Sequence, residues 1–163
     1  MLGNKIIRLL SAAAPIGMII WIFLNPITYG TGDLTKLTLI STGINEIMRG
    51  IGLSLELSPA KTIEFIFFTE YFIFGLTLMI TTKIFCEKTL KNIFFPLFTG
   101  LFTSVILVYD KYKNYGISYG IDSIMVMFEG VAIGILLFLL IDFVSSGFSL
   151  KKSSAKSKYR KGR

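Results

Sequence analysis

From Ile121 to Val144 the sequence reads IDSIMVMFEGVAIGILLFLLIDFV, twenty-four residues with three charges among them. No polar stripe divides this run into a wet face and a dry one. A helix apolar on nearly every side must be surrounded by hydrocarbon or by other protein. At about 1.5 Å per residue it reaches roughly 36 Å, enough to cross the ~30 Å core of a bilayer. Three further apolar runs, at 6–24, 63–85 and 93–109, have similar character. The pattern predicts an all-α membrane protein, a bundle of four transmembrane helices at 6–24, 63–85, 93–109 and 121–144. Pro26 biases Asn25 away from helix and closes the first span. Pro96 falls early in the third, where a missing N–H does little damage. Ser11-Ala12-Ala13-Ala14 lies inside the first run, which reads as an uncleaved span rather than a signal peptide.

Composition narrows the chemistry. The chain is 53% hydrophobic with a mean hydropathy of +0.69. It contains no histidine, which removes the commonest general base and metal ligand together. Cys86 stands alone, so no disulfide forms within the chain. No nucleophile setting and no metal-ligand spacing stand out. Neither cofactor nor metal is expected, and the balance tilts away from an enzyme. The net charge of +7 describes a tail more than a body, because seven of seventeen basic residues fall in 151–163. Residues 1–150 form the transmembrane domain. The tail LKKSSAKSKYRKGR reads as a disordered basic segment drawn to anionic head groups by about 1 kcal/mol per charge. With no basic folded module and no aromatic platform, nucleic acid is not an expected partner.

Lys and Arg counts orient the bundle. With the amino terminus inside, Lys5, Arg8, Lys83, Lys88, Lys91 and the seven tail residues lie inside. Lys36, Arg49, Lys61, Lys111 and Lys113 then lie outside. Twelve against five predicts a cell-membrane protein with both termini cytoplasmic. The long outer loop, 25–62, carries Leu37, Ile40, Ile44, Ile47, Met48, Ile51 and Leu55 at helical spacing, with Lys36, Asn45, Glu46 and Arg49 opposite. This suggests an amphipathic helix on the outer face, weakened by Gly43, Gly50 and Gly52. An irregular loop over the helix ends is the alternative.

The buried acids are the candidate functional groups. Glu70 lies in FIFFTEYFIFGL and shares a face with Phe67, Phe74, Thr77 and Thr81. Asp122 and Glu129 are seven apart on the fourth span, with Met125, Ala132 and Leu136 on or near their face. Glu70 and Glu129 should each lie roughly 10 Å below the outer surface. Asp110 stands at the mouth above them. Intramembrane acids usually face the bundle interior or a wet cavity. Glu70 is therefore expected to point at Glu129 across an outward-open polar pocket. The bland alternative is interhelical hydrogen bonding alone. Gly130 and Gly134 form a small-xxx-small pair that lets a neighbouring backbone approach. Lys83 and Asp142 lie near the inner surface, where snorkelling to water is the default and pairing the alternative.

Two segments, 65–76 and 100–137, resemble the VanZ-like family of small membrane proteins, named for teicoplanin resistance. Glu70, Tyr71 and Gly75 match its Glu-Tyr pair, apolar run and glycine. Asp110, Asp122, Gly130 and Gly134 fit its order of a helix ending in an acid, a polar loop, and a helix opening with a carboxylate and carrying two glycines. Asn114 stands where many members have glutamine. Phe67 replaces a family histidine, and Lys113 with Tyr119 or Gly120 occupies the place of a second histidine and an arginine. Ile63 and Glu64 replace a basic pair. The resemblance implies a role at the cell envelope with a link to glycopeptide resistance. It also implies a polar site at Glu70, Tyr71, Asp110, Asn114 and Asp122, to which the depth and face of Glu129 add that residue. The expected partners are membrane lipids, a lipid-linked envelope precursor, or another membrane protein, with an oligomer open to the chain. A small proton-coupled transporter or flippase and an accessory subunit of a membrane complex are the alternative functions.

Overall fold

The computed structural model describes residues 2–25, 34–54, 56–86, 92–116 and 119–160. They form five helices and no strand: α1 Leu2–Leu24, α2 Leu34–Gly50, α3 Pro59–Phe85, α4 Phe94–Tyr115 and α5 Ile121–Arg160. Four of them contain stretches long and apolar enough to cross a membrane: Lys5–Leu24, Pro59–Phe85, Phe94–Asn114 and Ile121–Ser145. The chain is a multi-pass, all-α membrane protein in this sense.

Local chemistry moves several boundaries from their expected places. α3 begins four residues early because Ser58 caps it, its side chain accepting from Lys61 N, with Pro59 in the first helical turn. α4 continues past Tyr109 to Tyr115 and ends at Gly116, whose left-handed φ of 65° lets its N–H reach Lys111 O and Tyr112 O. The polar residues that seemed to end this span instead form its last turn. α5 continues as helix through residues 151–160, which were expected to be disordered; Lys, Ala and Arg are strong helix formers and extend a helix already nucleated. Residues 161–163 lie outside the described residues.

The long connection between α1 and α3 contains a helix, α2, over Leu34–Gly50. Leu37 and Ser41 are buried, and Ile40, Ile44 and Met48 half-buried, on one side of α2. Gly52 terminates α2 rather than interrupting it. At φ 81° it brings Leu53 N to Met48 O and its own N to Arg49 O, the two crossed bonds of a Schellman end. Asn45 then ties the helix to the next segment, accepting from Leu57 N at 2.8 Å and donating to Leu57 O at 3.2 Å. Leu55 lies outside the described residues.

α3 is the hub and touches each of the other four helices. α1 runs antiparallel to it: Thr81 Oγ1 donates to Ser11 O at 2.5 Å at one end, and Trp21 Nε1 donates to Glu70 at the other. α5 runs parallel to α3 in close contact. A Cβ on Gly130 would sit 2.5 Å from Phe68 O and 3.0 Å from Phe72 N, and one on Gly75 would sit 2.5 Å from Val131 O. Gly134 meets Phe72 O and Leu76 N one turn further on. At the far end Lys83 pairs with Asp142, its ammonium 5.7 Å from the Phe138 ring centroid. This replaces the expected snorkelling: the tight α3–α5 contact holds the two side chains within reach, and both stay partly exposed. Phe67, Tyr71, Phe74, Met79, Leu107, Met127 and Val131 are the centre of the core.

Candidate functional site

We call the end where α1 and α4 finish and α3 and α5 begin the head end. Glu70 lies eleven residues into α3, roughly 16 Å from its start, level with the last turn of α1. It is 7% exposed. Its Oε1 accepts from Trp21 Nε1 at 3.0 Å and from Asn25 Nδ2. Trp21 and Asn25 are one turn apart, so α1 presents both donors on one face. The other carboxylate oxygen, Oε2, is buried and has no hydrogen-bond partner among the described residues.

A cation stands near this carboxylate. Lys111, in the last turns of α4, is completely buried and interacts electrostatically with both Glu70 and Asp110. Ser104, Leu107 and Lys111 are all fully buried at spacings of three and four, which defines the inward face of α4. Tyr71 is also fully enclosed, its ring edge-on to Phe74 with centroids 6.1 Å apart. Its hydroxyl has no hydrogen-bond partner among the described residues. The head end therefore gathers Trp21, Asn25, Glu70, Tyr71 and Lys111 from three helices. Tyr119 closes on Phe67 nearby, centroids 5.2 Å apart, and burial pushes its phenol above the ordinary range.

The expected pocket differs from this one in its partners. Glu129 does lie at the level of Glu70, since neighbouring Gly130 meets Phe68, Tyr71 and Phe72. It is nevertheless exposed, on a face of α5 turned away from α3. Glu70 points at α1 instead of α5, together with Thr81 of its stripe. Asp122 is exposed as well. Asp110 is half-buried and accepts from exposed Asn114 at 2.6 Å, a bond within one turn of α4. Of the six candidate polar residues, Glu70 and Tyr71 are enclosed together. Asp110 reaches the cluster through Lys111, while Asn114, Asp122 and Glu129 lie outside it. Gly75, Gly130 and Gly134 lie where α3 and α5 approach each other. Among the described residues no group of three or more acidic or cysteine side chains is placed to hold a metal ion.

Sequence reasoning missed Trp21, Asn25 and Lys111. Two signals were present: the chain's single tryptophan stands one turn from Asn25, and Lys111 follows Ser104 and Leu107 at inward spacing. Comparison with protein-family models, with curated proteins and with solved structures finds no match to this chain.

Proposed function

We propose that the chain is a non-enzymatic, VanZ-like protein of the cell envelope. In this reading both termini are cytoplasmic and the head end binds a lipid or lipid-linked envelope precursor, with a link to glycopeptide resistance. The observation that carries the reading is Glu70 Oε2, a buried acceptor without a partner among the described residues. A desolvated carboxylate oxygen left unbonded costs free energy that a ligand's hydroxyl or ammonium would recover. The nearby Lys111 adds a positive charge suited to a phosphate. A head group that carries both a phosphate and a donor matches this pair of opposite charges. The likeness of 65–76 and 100–137 to VanZ-like proteins supports the envelope assignment.

Trp21 provides the readout, because the chain's only tryptophan donates to Glu70. Full-length protein in detergent is titrated with short-chain phosphatidylethanolamine, short-chain phosphatidylglycerol and a lipid-linked disaccharide pyrophosphate. A saturable shift in Trp21 emission with at least one probe, reduced about tenfold or more in affinity by Glu70→Gln, is expected. No saturable shift with any probe, or shifts indifferent to Glu70→Gln, would refute the binding role.

A further inference from the structure

Glu129 is an exposed carboxylate inside the apolar stretch Ile121–Ser145. At 100° per residue, Met125, Ile133, Leu136 and Leu140 lie within about 40° of it around the helix. They are 56, 46, 62 and 61% exposed. α5 holds α3 through Gly130 and Gly134 and meets Gly100 of α4 with Val131, all on other faces. From Met125 to Leu140 a strip thus runs along α5, apolar except for Glu129 roughly 12 Å from the helix start; Asp122, on the same face, stands in the first turn at the end of the span. An acid in hydrocarbon costs up to about 2.5–3.5 kcal/mol at the bilayer centre, and intramembrane acids almost always turn toward protein or water. Glu70, at the same level, does so.

We infer that this strip is an interface, covered in the membrane by a transmembrane helix of a different protein that brings a lysine or arginine to the depth of Glu129. Charge complementarity selects this occupant. A second copy of the chain offers no such cation among the described residues: Lys5, Arg8, Lys61, Lys83 and Lys113 stand near span ends, Lys36 and Arg49 lie on α2, and the basic residues of 151–160 lie beyond the membrane-crossing stretch of α5. Lys61 is seven or more residues from the level of Phe68–Phe72, about 10 Å away along α3. Lys111 is fully buried inside the chain. The acid also sets register, because a single polar residue in an apolar seam fixes which turn of the partner lies opposite.

The test places a benzoylphenylalanine photo-cross-linker at Met125 or Leu136, with Phe102 on the exposed side of α4 as the control site, in the full chain in its native membrane. One protein adduct is expected from 125 and 136 and none from 102. The peptide mapped in the adduct should belong to a membrane span that contains Lys or Arg. Glu129→Leu should lower the yield from 136 by about tenfold or more, as loss of a charged hydrogen bond predicts, and Glu129→Asp should keep it. Adducts to lipid alone, to a second copy of the chain, or to a span without a basic residue would each overturn the inference. So would a yield that ignores Glu129→Leu.

Discussion

Glu70 and Glu129 stand at one level on two helices that touch, and their surroundings are opposite. Glu70 is enclosed by α1 and α4, accepts two side-chain hydrogen bonds and has a lysine near it. Glu129 is exposed among apolar side chains that are themselves exposed among the described residues. The difference is one of angle, not depth or composition. One turn of glycine-mediated contact between α3 and α5 decides which acid belongs to the interior of this chain and which is left for something else.

The hardest way to break that comparison is to force the two helices apart. Gly130→Val would drive a side chain into the Phe68 carbonyl and Phe72 amide. Overpacking costs about 1–3 kcal/mol when side chains can yield, and backbone yields less. Loss of monodisperse protein on size exclusion is the expected result. Next in size, Glu70→Ala leaves the Trp21 and Asn25 donors without their acceptor and removes a negative charge that interacts with Lys111. It should destabilise the purified protein by about 1–3 kcal/mol, read as a lower unfolding midpoint by circular dichroism. Glu129→Ala, measured in the same way, should shift stability by no more than about 0.5 kcal/mol, as surface substitutions do. Equal effects from the two alanines would erase the distinction. A finer cut is Trp21→Phe, which removes one of the two donors and should cost about 1 kcal/mol in the same melt. Smallest is Lys83→Ala. Its pair with Asp142 is partly exposed, so the loss should be about 0–1 kcal/mol and should shrink further in high salt.

Four spans, their approximate limits and the packing glycines were legible in the sequence because hydropathy and small residues act locally. The direction of Glu70 was not, although the means to find it were present. Gly75 marks the face of α3 that a neighbour approaches closely, and Glu70 is five residues earlier, about 140° around the helix. If Gly75 meets α5, Glu70 faces elsewhere. Weighing the acid by depth alone hid this. Lys111 was counted as a loop charge because α4 seemed to end at Tyr109. Its inward spacing from Ser104 and Leu107 becomes visible only once the helix runs on to Tyr115. The early start of α3 rested on Ser58-Pro59, a cap and first-turn pair too short for a hydropathy window to register. Lys83 and Asp142 were placed correctly at one depth, but only the α3–α5 approach settles that they pair.

The central place of α3 carries a consequence for biogenesis. Its closest neighbour, α5, is the last of the five helices to leave the ribosome, some thirty-five residues after α3 is complete. Until then the nascent chain must hold α3 in the bilayer with the backbone grooves beside Phe68 and Phe72 unfilled. Inserted spans associate only after they are threaded, so assembly here is gated by the final one. A translation arrest between Tyr115 and Ile121 would strand a chain that already contains Glu70 and Lys111 but lacks the helix that packs against Phe68, Phe72 and Gly75, which is a natural mark for membrane proteolysis.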